Sequence, residues 1–244
     1  MTITLQHIES TDSTNRLIKA LNENTPLEHG HCLYADFQTA GKGQGSNSWE
    51  SDSGKNLLFS LWLDTPQFPL LEQFLLSEVV AVSLVNVLHR YLPEVRLKWP
   101  NDIYVGNKKL GGILIETIIM KGVMKNAVIG VGLNVNQTEF RSDAPNPVSM
   151  CQLLCKETDL QSLLTEIVAE MSVAVRDFTI EQSGEWQQRY DSLLFWREGY
   201  HDFADKNGRF RAKISKILPN GQLILETESR ETRGYFLKEV RFVI

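Results

Sequence analysis

Three glycines stand at alternate positions, Gly41, Gly43 and Gly45, with Lys42 and Gln44 between them and Trp49 close behind. Glycine accepts positive φ and lets backbone approach a ligand closely, but it loses more entropy on ordering than other residues. With a cation at Lys42, amides at Gln38 and Gln44, and the flat face of Trp49, the stretch suits a mobile loop closing over a small anionic ligand. The glycine spacing alone equally fits a plain surface loop. A second stretch runs Lys98-Trp-Pro-Asn-Asp102, then Lys108-Lys-Leu-Gly-Gly-Ile-Leu-Ile-Glu116. Asp102 could hold a hydrated Mg²⁺, an ion that takes few carboxylates and completes its shell with water and phosphate oxygens. Lys109, leading into a glycine-containing strand, could reach a carboxylate or phosphate from a pocket edge. The bland alternative is a solvated lysine turn capped by Asp102.

Other chemistries find no support. Gly-Lys is never followed by Ser or Thr at the spacing of a phosphate-binding P-loop. There is no Gly-x-Ser-x-Gly elbow and no Cys/His pair to suggest a covalent nucleophile. Glycine loops, cations and one acidic residue instead suit phosphoryl or adenylyl transfer achieved by positioning and charge stabilisation.

The elements that must position these groups can be read in order. Ile3 to Ile8 alternates like a strand. Asp12 or Ser13 caps a short helix with Leu17, Ile18 and Leu21 on one face. Cys32 to Phe37 is a strand feeding the glycine loop, and Leu57 to Leu63 a strand buried on both faces. Leu71 to Leu92 repeats apolar residues at helical steps, including Phe74, Val79, Val82, Val85 and Leu88. Val95–Trp99 and Ile103–Val105 flank Pro100-Asn101-Asp102, across which helix is disfavoured. Leu110–Ile119 and Val128–Val135 read as buried strands. Their glycines, Gly111, Gly112, Gly130 and Gly132, fit either a pocket floor or tight sheet packing. Ser149 starts a short helix through Cys155, Leu160–Phe178 is a strongly amphipathic helix, and Glu185–Leu194 a weaker one. The character changes near Phe195. Phe210–Ile217, the turn Pro219-Asn-Gly221, Leu223–Thr227, Tyr235–Leu237 and Val240–Val243 fit a small β-barrel. The expected division is residues 1–195 and 196–244.

Composition sets the outer bounds. The chain has 244 residues, 42% of them hydrophobic and 23% charged, as in an ordinary globular protein. A net charge of −5 argues against a general nucleic-acid binder. The N-terminus lacks the basic region and apolar run of a signal peptide. The longest uncharged apolar run, Val79–Leu88, is too short to span a bilayer. Cys32, Cys151 and Cys155 lack zinc spacing and read as reduced, buried thiols. A cytoplasmic protein with no membrane partner is expected.

Five motifs together resemble one family. Asp12-Ser-Thr-Asn15, Gln38-Thr-Ala-Gly-Lys-Gly-Gln44 with Trp49, Lys98-Trp-Pro-Asn-Asp102, Lys109-Leu-Gly-Gly-Ile113 and Gly130-Val-Gly-Leu-Asn134 follow the order found in biotin protein ligases. That resemblance spans nearly the whole chain. It implies an α+β fold, a mixed-sheet catalytic domain followed by a small SH3-like barrel. Ser13-Thr14-Asn15 begins almost at the N-terminus, so the expectation is the enzyme-only form, without the DNA-binding domain of many bacterial relatives.

The same resemblance implies the chemistry and its residues. The carboxylate of biotin attacks the α-phosphate of MgATP, giving biotinyl-5′-AMP. A lysine of a biotin carboxyl carrier domain then takes the biotinyl group. Ser13, Thr14, Asn15 and Gln38 match positions on the biotin head, with Gly112 and Gly130 beside it. Gly41, Lys42, Gly43 and Gln44 match the loop over biotin and the adenylate. Lys109 matches the catalytic lysine near carboxylate and α-phosphate, with Asp102 as the metal-binding acid. Trp49, Asn101 and Asn134 match positions at ATP. The loop departs from the common Gly-Arg-Gly-Arg pattern, because lysine lacks the planar fork of arginine and Gln44 lacks charge. A lipoate ligase and a non-catalytic biotin sensor are the competing readings. Relatives dimerise through a sheet edge, which leaves a homodimer open.

Overall fold

The computed structural model describes residues 3–45, 47–141 and 146–244. A seven-stranded sheet runs in the order β1 (Thr4–Thr11), β2 (His31–Gln38), β3 (Leu57–Asp64), β7 (Val123–Leu133), β6 (Lys108–Met120), β5 (Asp102–Val105), β4 (Val95–Lys98). β1 and β2 are parallel and every other neighbour is antiparallel. Parallel neighbours need a crossover. Helix α1 (Thr14–Asn24) provides it.

The two sheet faces differ. One packs on α2 (Phe74–Leu88) and α4 (Leu160–Asp177), through Phe59, Leu61, Ile129 and Val131 and the buried faces of both helices. α2 is apolar around nearly its whole circumference, as expected of a helix covered on several sides. α4 and α5 (Ser183–Ser192) cover it. The opposite face carries α1 over a smaller cluster, Ile18, Leu33, Trp62 and Val128. Strand alternation sorts β7 accordingly. Val128, Gly130 and Gly132 face α1, while Ile129, Val131 and Leu133 face α2 and α4. Short helix α3 (Met150–Leu154) starts in a capping box between Ser149 and Gln152.

A second, antiparallel sheet follows in the order β11 (Thr232–Tyr235), β10 (Leu223–Thr227), β9 (Gly208–Ile217), β8 (His201–Asp205), β12 (Arg241–Phe242). The α+β class and the β-rich tail agree with expectation. Trp99 Nε1 donates to Gly221 O at 3.0 Å. Phe195 N donates to Leu97 O at 2.9 Å, fixing against β4 the segment that leads into the second sheet.

Several boundaries move. Leu71 is 88% exposed on a 3-10 turn, Leu70–Glu72, and the helix starts only at Phe74. Leu92 is buried but lies beyond the helix end. Cys155 is exposed, because it takes the left-handed position that ends α3, whereas Cys32 and Cys151 are buried. Ser13 occupies the N-cap of α1 without a side-chain capping bond. No described helix is long and apolar enough to cross a membrane.

Candidate active site

A cavity of about 370 Å³ opens on the α1 face of the large sheet and reaches the second sheet. Ser13, Thr14, Asn15, Gln38, Lys42, Gly43, Gln44, Trp49, Asn101, Asp102, Lys109, Gly112 and Gly130 all line it. Two expected residues do not. Gly41 lies at the base of the loop, where a Cβ would stand 2.8 Å from Trp49 O. Asn134 is buried behind the floor and donates to Val148 O at 3.2 Å.

The floor is made by glycines at paired positions of β6 and β7, with Gly112 opposite Gly132 and Leu114 opposite Gly130. A Cβ at Gly132 would come within 2.5 Å of Trp49 Cε2, so the indole rests directly on bare backbone. A Cβ at Gly130 would collide with Asn15 Oδ1. Gly111, the other floor candidate, points away and packs against Gly132 O, Leu133 and Ile103. Alternation along the strand excludes it from the cavity.

The polar end is a chain of hydrogen bonds. Thr14 donates to Gln38 Oε1 from its amide at 2.7 Å and from its hydroxyl at 3.1 Å. Ser60 Oγ lies 2.7 Å from Thr14 Oγ1 and 2.5 Å from Asn15 Oδ1. Ser60 is fully buried in a strand that reads as uniformly apolar. Its neighbours on that face are Leu58 and Trp62, and only the partners brought by α1 show why a hydroxyl is there.

The cationic end depends on a bulge. Asp102 pairs with Gly112 and Ile103 with Gly111, but Tyr104 pairs with Lys109. Leu110 is thus an extra residue, and a bulge re-aims the side chains that follow it. Leu110 enters the main core, and Lys109 joins Gly112 on the cavity face. Lys109 Nζ meets Asp102 Oδ1 at 2.5 Å, and Lys98 Nζ lies 3.7 Å from Asp102 Oδ2. Burial pushes the Lys98 ammonium below its ordinary pKa and Lys109 adds to that, while Asp102 opposes it.

Both oxygens of Asp102 therefore face ammonium groups. Among the described residues no set of three His, Cys, Asp or Glu side chains could hold a metal ion. A Mg²⁺ held by Asp102 would compete with Lys109 and Lys98 for its oxygens and would take its remaining ligands from water and phosphate.

The second sheet brings residues that motif spacing gave no reason to include. Leu237, Lys238, Val240, Arg241 and Phe242 line the same cavity, beside Lys98 and Trp99. Among the described residues the lining then holds five cations, Lys42, Lys98, Lys109, Lys238 and Arg241, against the single carboxylate of Asp102. Such an excess suits a polyanion. The glycine loop folds back as a small hairpin in which Lys42 bridges Ser48 and Trp49 N donates to Gly41 O at 2.9 Å. Ser46, within that loop, lies outside the described residues.

The site is thus a glycine floor on a mixed sheet, with a polar pocket at one end and clustered cations at the other. The family model for "Biotin/lipoate A/B protein ligase family" matches residues 7–134, and the chain belongs to that family. It is 30% identical over 227 residues to the bifunctional ligase/repressor BirA of Bacillus spizizenii, covering 91% of this chain and 68% of that protein. The Bacillus subtilis counterpart is 30% identical over 84% of this chain and 64% of its own length. The chain thus spans about two thirds of these relatives. Among solved structures, Aquifex aeolicus biotin protein ligase in complex with biotin and ATP matches with a TM-score of 0.79 and 25% identity. That match covers 98% of this chain and 99% of the other.

Proposed function

We propose that this chain is a biotin ligase that activates biotin as biotinyl-5′-AMP and transfers it to a lysine of a biotin carboxyl carrier domain. The observation that carries the reading is one cavity joining a neutral hydrogen-bonding end to a cationic end over a glycine floor. A cyclic urea finds donors and acceptors at Ser13, Thr14, Asn15 and Gln38. A site built for such groups rejects an acid that lacks them, because its buried polar atoms would then lose their partners. The Aquifex aeolicus structure with biotin and ATP supports the same substrates.

In the first half-reaction a carboxylate oxygen attacks the α-phosphorus, the bond to the β-phosphate oxygen breaks, and pyrophosphate leaves. Two anions must meet, and Lys109 offsets their repulsion. Asp102 orients Lys109, and Trp49 provides a face for the base. Mg²⁺ enters on the phosphates of its substrate, MgATP. In the second half-reaction a neutral lysine amine attacks the acyl carbon and AMP leaves. Lys42 and Gln44 close over the adenylate, which limits water. Residues 1–195 form the catalytic unit and 196–244 a β-module that adds cations to the nucleotide end. All three cysteines are free, which supports a cytoplasmic setting.

ATP–pyrophosphate exchange tests the reading. Exchange is expected with biotin and not with lipoate. Exchange with lipoate alone would make the chain a lipoate ligase. Binding of biotin without any exchange would make it a sensor.

A further inference from the structure

The polar end of the cavity is held from behind by groups that do not line it. Asn15 Nδ2 donates to Glu116 Oε2 at 2.7 Å, between residues 101 positions apart. Lys19 Nζ, one turn further along α1, donates to Glu116 Oε1 at 2.9 Å. Glu116 stands on β6 opposite Val128, just beyond the Leu114–Gly130 pair of the floor. Burial would raise its pKa, but the bonds from Lys19 and Asn15 outweigh that and hold it below the usual carboxylate value. Glu116 is therefore an anion at neutral pH, and an ionised carboxylate only accepts hydrogen bonds. It can be met only by the NH₂ edge of Asn15. The other edge is then fixed, with Oδ1 turned toward Ser60 and over the bare backbone of Gly130.

We propose that Glu116 is a positioning residue for the ureido ring of the substrate. It holds the Asn15 amide with its carbonyl oxygen toward the cavity, as the acceptor for a ring N–H. The inference rests on biotin being the substrate. An Asn15 side chain turned over would present NH₂ to that N–H, donor against donor. Lys19 serves as the counter-charge that keeps the carboxylate in place.

The test is steady-state ATP–pyrophosphate exchange on the full chain, comparing wild type with Glu116→Ala, Glu116→Gln, Lys19→Met, Asn15→Ala and the Asn15→Ala/Glu116→Ala double variant. Glu116→Ala is expected to raise the KM for biotin roughly tenfold, the factor that one hydrogen bond to a charged group carries. The kcat and the KM for ATP should stay within about twofold. In the Asn15→Ala background the same change should add nothing, because Glu116 acts through Asn15. Glu116→Gln offers one acceptor to two donors, and Lys19→Met removes one of the donors. Each should therefore shift KM alone, by less, and these two carry the test if Glu116→Ala fails to fold. A kcat that falls in step with the KM change, or losses that simply add in the double variant, would overturn the positioning role. Unaltered kinetics in all Glu116 variants, with normal wild-type exchange, would sink this inference alone. A wild-type chain inert toward biotin would sink the substrate reading and this inference with it.

Discussion

Glu78 offers a quantitative test of how α2 and α5 pack beneath the site. It is 4% exposed on α2, and its Oε2 has no hydrogen-bond partner. Burial first, then the charges of Asp191 and Glu72, push its pKa up to about 8 from an ordinary 4.5. As pH rises past 4.5 the unfolded chain releases this proton while the folded chain keeps it. The folded state then binds more protons, so stability falls with rising pH. The loss runs at about 1.4 kcal/mol per pH unit and flattens above about pH 8, where both states are ionised. Glu78→Gln removes the titration and keeps the shape. Urea unfolding of both proteins at intervals between about pH 5 and pH 9 isolates the effect, because other groups cancel in the difference. The variant's advantage should grow by about 4 kcal/mol between pH 5 and pH 8 and then level off. A difference that stays flat across that window would refute the buried, unpaired carboxylate.

Three further outcomes are expected. Lys109→Gln should slow biotinyl-AMP formation by roughly a hundred- to a thousandfold, as for loss of one preorganised charge-stabilising donor. Transfer from added biotinyl-AMP should suffer less, and equal losses in both steps would show the wrong role. Gly132→Ala places a methyl 2.5 Å from the Trp49 ring. It should raise the KM for ATP roughly tenfold, since overpacking of this kind costs about 1–3 kcal/mol; an unchanged KM would mean the indole is not the nucleotide platform. Trypsin should cut after Lys42, which is exposed in the loop hairpin. Biotin with MgATP should suppress that cut, and biotin alone should do so in part; equal cleavage under all conditions would show that the loop does not close on ligand.

What could be read from residue order, and what could not, divides along a physical line. Period-two alternation placed β1, apolar runs of strand length placed the central strands of the large sheet, and the repeat in Leu160–Asp177 placed α4, because burial of one face or of both imposes each pattern. The motifs placed thirteen of the fifteen expected residues on one cavity, because each motif keeps its own residues together at a strand end or turn. Contacts between motifs left no such trace. Ser60 reads as an interruption in an apolar run, and Glu116 as the polar end of a strand, until α1 lays Asn15 between them. The approach of Arg241 and Phe242 depends on how the second sheet docks through Trp99 and Gly221.

The bulge at Leu110 is the sharpest case. Strict alternation from Gly112 back along β6 would put Leu110 in the cavity and Lys109 in the apolar core, exchanging an ammonium for a leucine on each face. Burying an unpaired ammonium costs several kcal/mol at the least. The local sequence Lys-Lys-Leu-Gly-Gly is therefore consistent with the fold only if the ladder slips by one residue between Lys109 and Gly111. The slip is observed where Tyr104 pairs with Lys109. A core that demands Leu110 and a cavity that needs Lys109 are both satisfied by one irregular pairing, and the glycines that follow let the strand continue as the floor beneath it.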